Sequence, residues 1–127
     1  MKKTTRILST GILAAVLLSL LTTPSLAEGE KARALATEKL KQVYRQVLGR
    51  EATQKDIDHH IKLLENRELT PKQIRANLVK GAEGTAAINR VFKQERGSDP
   101  NAKQFARAQA ALMDGASLED LRRELRR

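Results

Sequence analysis

The stretch Leu40-Lys41-Gln42-Val43-Tyr44-Arg45-Gln46-Val47-Leu48-Gly49-Arg50 decides how this chain folds. Its apolar residues stand three and four apart. That spacing gathers side chains on one face of an α-helix and would scatter them over both faces of a strand. Leu40, Tyr44 and Leu48 therefore share a face, with Val43 and Val47 beside them. Gly49 offers the left-handed residue that stops such a helix. Arg50 follows where a cation can reach back to the last exposed carbonyls.

Working outward, the same periodicity recurs to the end of the chain. Ile57, Ile61 and Leu64 form a second stripe; Ile74 and Leu78 lie one turn apart, as do Ile88 and Phe92. Phe105, Gln109 and Leu112 continue the spacing with one polar interruption, and Leu118, Leu121 and Leu125 close it. No segment alternates apolar and polar residues over a strand length. The punctuation agrees. Thr70-Pro71-Lys72-Gln73 reads as an N-cap, a first-turn proline and a capping-box partner. Gly81 and Gly84 flank a junction, Asp99-Pro100 opens a fifth helix, and Gly115 with Ser117 separates it from a sixth. Ser98 and Ser117 both stand where caps belong. The spacing predicts an all-α fold of six short helices, at about 33–48, 54–66, 71–80, 85–96, 100–114 and 118–126.

A repeat underlies these stripes. Val43-Tyr44-Arg45-Gln46-Val47-Leu48-Gly49 aligns with Val91-Phe92-Lys93-Gln94-Glu95-Arg96-Gly97 at a shift of 48, which also brings Ile57 onto Phe105 and Leu64 onto Leu112. After a one-residue deletion Thr70 meets Ser117, Ile74 meets Leu121, Arg75 meets Arg122 and Leu78 meets Leu125. All three aromatics take matched positions, where a large apolar body anchors packing. The expectation is two similar three-helix units, about 33–80 and 85–126, each too small to bury its own stripe and so docked on the other. Tyr44, Leu48, Gly49, Phe92 and Phe105 are its motif and core residues.

The chain has 127 residues, 24 Lys+Arg against 15 Asp+Glu, and no cysteine. The missing cysteines exclude a disulfide framework, a cysteine zinc site, a thiol nucleophile and a lipidated N-terminal cysteine. Met1 to Arg6 is basic, Ile7 to Leu21 is apolar, and Ser25-Leu26-Ala27 has the small residues of a cleavage site. An apolar run of 15 residues falls short of the roughly 20 that a spanning helix needs. Residues 1–27 are thus expected to be a signal peptide cut after Ala27. Residues 28–127 then form a single helical domain, exported to the periplasm, a lumen or the medium, with no membrane span left after cleavage.

The chemistry of catalysis is sparse. His59 and His60 lie far in sequence from either mature serine, and no nucleophile elbow or phosphate-cradling glycine loop occurs. Asp56, His59 and His60 share a helix face, but nothing elsewhere completes a tetrahedral zinc site. Asp56, Asp58 and His59 read as a solvated helix surface, with His60 at the edge of the second stripe. Asp99-Pro100-Asn101 begins like a calcium loop and lacks the later acids. The chain ends in Arg122, Arg123, Arg126 and Arg127, interleaved with Glu119 and Glu124. That is either a solvated helix end or a docking patch for an anion. Nucleic acid is disfavoured by export and by the lack of interleaved aromatics for stacking.

Tyr44-Arg45-Gln46-Val47-Leu48-Gly49-Arg50-Glu51 resembles the opening motif of phycobilisome linker domains, and of a related family of small helical domains in secreted and surface bacterial proteins. Leu64-Glu65-Asn66-Arg67-Glu68-Leu69-Thr70, with Ile74 and Leu78, is similar to that group's second block. The chain departs at the block's close, with Gly84-Thr85-Ala86 in place of a serine and an aromatic. The resemblance, over about residues 40 to 92, implies an all-helical, non-enzymatic domain that holds other proteins together. The expected function is an exported adaptor without cofactor or metal, binding another protein of the exported or envelope fraction through helix faces around the Tyr44–Glu51 motif. The alternative is a basic anion binder docking to envelope lipids or acidic partners through the C-terminal arginines. The candidate partner-binding residues are Arg45, Arg50, Arg122, Arg123, Arg126 and Arg127.

Overall fold

The computed structural model describes residues 26–127, and every regular element in them is a helix. In chain order these are α1 (Leu26–Val47), α2 (Gln54–Glu65), α3 (Pro71–Lys80), α4 (Ala82–Arg96), α5 (Ala102–Met113) and α6 (Leu118–Leu125). The expectation of an all-α fold holds. Most of the expected signal peptide, residues 1–25, lies outside the described residues, and Ala27 falls in the first turn of α1. The chain divides after Ala34. Leu35–Arg127 is one compact unit, and the described part of the other is the opening of α1, exposed from Ala27 to Ala34.

Two helices start earlier than the apolar spacing predicts. α1 opens at Leu26 rather than 33 because Glu28, Glu30, Lys31, Ala32 and Arg33 are good helix formers that carry no stripe. α4 opens at Ala82 rather than 85 because Gly84 is a helical residue, not a breaker. A Cβ built on buried Gly84 would lie 2.2 Å from the Val79 carbonyl oxygen and 2.3 Å from that of Leu78. The first turn of α4 thus crosses the last turn of α3 with only a hydrogen atom between them.

The helix caps repeat through the chain. Thr53 caps α2 by accepting from the Asp56 N–H, and the Asp56 carboxylate accepts from the Thr53 N–H. Forty-eight residues on, Asn101 and Gln104 make the same reciprocal pair at α5. Thr70 with Gln73 caps α3, and Ser117 with Asp120 caps α6. The C-termini match too. Glu68 N–H donates to the Leu63 carbonyl and Ala116 N–H to the Ala111 carbonyl, both at 3.0 Å. The residues between, Arg67 and Gly115, are left-handed at φ 57° and 121°. Gly49 and Gly97 follow α1 and α4 at φ 68° and 76°. Ser98 is not a cap, contrary to expectation. The box needs a side-chain acceptor three residues on, and Gln104 stands three beyond Asn101.

The core has two parts. One gathers Tyr44 and Val47 of α1 and Leu48 just after it with Val79, Ile88, Val91 and Phe92, closed by Ala108, Leu112, Leu118 and Leu121. The other holds Leu40, Ile57, Ile61 and Ile74, all from the first expected unit. That unit therefore buries one stripe by itself and lends another to the second. Phe105, expected in the core, is only partly buried against it. The inward stripe of α5 is Ala108 and Leu112, and Phe105 sits one turn earlier, over the edge. Arg75 joins the halves: its Nε donates to the Leu112 carbonyl, its Nη2 to that of Ala116, and its Nη1 to Gln46 Oε1. Burial holds its pKa below the usual arginine value.

Candidate functional site

The residues of the Tyr44–Glu51 motif are brought together, but as an internal network. Tyr44 is 2% exposed. Its hydroxyl lies 3.2 Å from His60 Nδ1, which is also 2.9 Å from the Asp56 carbonyl oxygen. Nδ1 accepts from Tyr44 or donates to Asp56 according to the tautomer. The Arg50 guanidinium lies over the Tyr44 ring, 5.1 Å from its centroid. Arg50 does not reach back to the carbonyls of α1, as expected of it. Its Nε and Nη2 grip both oxygens of Glu83 at 2.6 and 2.8 Å. Its Nη1 donates to Asp56 Oδ2 and to the Glu51 carbonyl. The carbonyl at the end of α1 is met instead by Arg90 Nη2, 3.4 Å from Leu48 O.

Electrostatics follow this geometry. Burial, with the Asp56 charge, pushes the Tyr44 hydroxyl up to about 12. At Asp56 burial pulls upward, but the Thr53 N–H, the Arg50 guanidinium and the Thr53 hydroxyl outweigh it and hold the carboxyl down at about 2. Its hydrogen bonds to Arg50 lower Glu83, and the same bonds raise Arg50. Asp56 is thus a cap and ion-pair partner rather than part of a solvated face. Among the described residues, no group of three or more His, Cys, Asp or Glu could hold a metal ion.

Most candidate partner-binding arginines have partners within the chain. Arg45 Nε pairs with Glu51, Arg123 with Asp120, and Arg126 grips both oxygens of Glu95 at 3.1 Å. Arg122 makes two longer contacts, at 3.4 Å, to Glu119 and Gln94. The second mirrors Arg75 on Gln46 one repeat earlier. The terminal residue Arg127 is exposed.

A further opening lies elsewhere. α5 packs on α3 and α4, whereas α6 packs on α4, so a cleft of about 370 Å³ stays open between α5 and α6. Its floor is Phe92, Ala108, Ala111, Leu121 and Leu125; the two alanines on α5 leave the gap that larger side chains would close. Arg96, Lys103 and Arg107 stand at its rim against one acid, Glu124. Arg96 Nε is tied to the Leu125 carbonyl at 2.9 Å, while Lys103 and Arg107 are exposed without a carboxylate partner among the described residues. Sequence reading missed these three cations. The available signal was Lys103 and Arg107 at spacing four on a helix otherwise rich in alanine.

No helix among the described residues is long and apolar enough to cross a membrane. No family model matches the chain, and no curated protein or solved structure matches it.

Proposed function

We propose that this protein is a non-enzymatic helical adaptor, exported after removal of a leader ending at Ala27, that seats an acidic amphipathic segment of a partner protein in the α5/α6 cleft. The observation that carries this reading is the pairing of an apolar floor with a cationic rim, Arg96, Lys103 and Arg107 against Glu124. An amphipathic helix or turn with acids flanking its apolar face matches it in both shape and sign. The adaptor role is also supported by the likeness of Tyr44–Glu51 to linker domains. The internal network of that motif makes it the frame on which the binding surface is built. Asp56, Ser117 and Asp120 are occupied in caps and ion pairs, in keeping with binding rather than catalysis.

The test is a photo-reactive side chain at Ala111, in the cleft, in the full exported chain. A discrete protein adduct is expected, which added salt weakens and which Lys103→Glu with Arg107→Glu abolishes while leaving the helical signal intact. An adduct that survives the double charge reversal, or no adduct, overturns the reading.

A further inference from the structure

A second opening, also of about 370 Å³, lies on the other side of α6, where the end of α1 meets α4. Leu48, Gly49 and Ala86 supply its apolar and backbone surface, and Arg50, Arg90 and Arg122 line it with a single acid, Glu83. It shares no residue with the cleft between α5 and α6.

The donors around it are unequally used. An arginine carries five N–H groups. Arg50 commits four of them, to Glu83 twice, to Asp56 and to the Glu51 carbonyl, and in doing so covers the one acid of the pocket. Arg90 has a single long contact, 3.4 Å to Leu48 O, and no carboxylate partner among the described residues. Arg122 has only its two contacts of 3.4 Å. Two guanidinium forks thus border a hollow with most of their donors unspent, beside a third whose charge is already balanced. Gly49 leaves the floor open: a Cβ there would come within 3.7 Å of Arg90 Nη2 and 3.3 Å of Leu118 Cδ1. The lining carries three cations and one acid; Arg122 also meets Glu119 at 3.4 Å, whereas Arg90 has no carboxylate partner among the described residues, and this cationic excess suits a tetrahedral oxyanion. Planar guanidinium forks bind such an anion with paired N–H···O bonds.

We propose that this pocket binds a phosphoryl group, held between Arg90 and Arg122. This goes beyond the adaptor reading and does not rest on it. It also moves anion binding from the last four arginines of the chain to a site where only Arg122 of that set takes part.

The experiment is calorimetric titration of the full chain at low ionic strength. One arm uses inorganic phosphate and the other glycerol 3-phosphate, which separates a free anion from a phosphate carried on an organic group. Saturable binding below about 10 mM, weakening as salt is added, is expected. Arg90→Ala, at an exposed position, should weaken it about tenfold or more, and Arg122→Gln likewise. Arg123→Gln removes the same charge outside the pocket and should change it less than about twofold. Lys103→Glu, in the other cleft, should also leave it in place, so the two proposals fail separately. Binding in either arm that depends on Arg90 supports the site. No binding in both arms, or equal loss in Arg90→Ala and Arg123→Gln, overturns it.

Discussion

Arg50 and Glu83, 33 residues apart in sequence, are joined by two parallel hydrogen bonds of 2.6 and 2.8 Å. The bond ties the loop that ends α1 to the first turn of α4. The same guanidinium also closes the cap of α2 through Asp56 and lies over the Tyr44 ring, so one side chain fixes the mutual positions of three helices. The paired side chains are 35% and 60% exposed, which limits the worth of the ion pair itself. Arg50→Ala is therefore expected to cost about 1–2 kcal/mol in urea unfolding, mostly through the lost cap and packing contacts. Glu83→Gln should cost less than about 1 kcal/mol. Equal costs would mean that Arg50 acts through Glu83 alone.

Gly84 is the least replaceable residue of the α3–α4 junction. An alanine Cβ would have to displace backbone carbonyls at 2.2 and 2.3 Å rather than the end of a flexible side chain. Gly84→Ala should lower stability by about 3 kcal/mol, although alanine is the better helix former at an open position. Thermal unfolding measured beside Gly29→Ala checks this, since nothing lies within 4 Å of a Cβ at Gly29. No loss at Gly84 would mean that the two helices do not cross so closely.

Arg67 offers the opposite case. It occupies the left-handed position that ends α2, at φ 57°, where the matching position after α5 is Gly115. Both turns close with the same hydrogen bond, from Glu68 to Leu63 and from Ala116 to Ala111. A side chain costs about 1–2 kcal/mol in that conformation, and glycine gives part of this back in unfolded-chain entropy. Arg67→Gly is expected to stabilise the protein by about 0.5–1 kcal/mol. A stabilisation of zero or below would show that the Arg67 side chain makes up the difference.

What could be read from the sequence, and what could not, divides along these same residues. Tyr44, Leu48, Ile57, Ile61 and Phe92 declare themselves by spacing, because a helix that buries one face must place apolar residues three and four apart. Thr70-Pro71 and Ser117 declare themselves because a cap is a contact with the third residue on. Ser98 is no cap for the same reason: the box partner, Gln104, is three residues from Asn101. Gly84 was legible only as a breaker, since its need for a bare α-carbon comes from α3 crossing it. Glu83 for Arg50, the Leu112 carbonyl for Arg75 and Glu95 for Arg126 all lie more than about 30 residues away in sequence, and no local pattern announces these partners. The cleft rim was hidden because Lys103 and Arg107 look like any solvated pair until α6 packs on α4 and leaves the floor of Phe92 open.

Acid should weaken the fold in part through Asp56. Its carboxyl stands at about 2 in the folded protein, below the ordinary value of 3.8. A depressed carboxyl contributes stability that is fully present above the unfolded value and is lost as pH falls through the window from 3.8 to about 2. Glu83, Glu95 and Asp120 are lowered as well and add to the same slope. Asp56→Asn should lower stability at neutral pH and flatten the acid limb of stability against pH between about 4 and 2. An unchanged limb would mean that Asp56 is not held by Arg50 and Thr53.

Alkali probes the core directly, because Tyr44 is the only tyrosine and the chain has no tryptophan. Its hydroxyl is pushed from 10.0 to about 12 by burial and by the nearby Asp56 charge. A raised phenol binds its proton more tightly in the folded state, so its contribution is complete below 10.0 and is lost as pH rises toward about 12. Absorbance near 295 nm then reports one side chain without deconvolution. The native protein should show phenolate appearing only near 12, together with unfolding, while in urea the midpoint should return to about 10. Tyr44→Phe should erase the signal and remove the Tyr44–His60 contact, while the packing of the ring is kept. Ionisation near 10 with the helices intact would place the Tyr44 hydroxyl in water, and the packing of α1 against α2 and α4 would have to be redrawn.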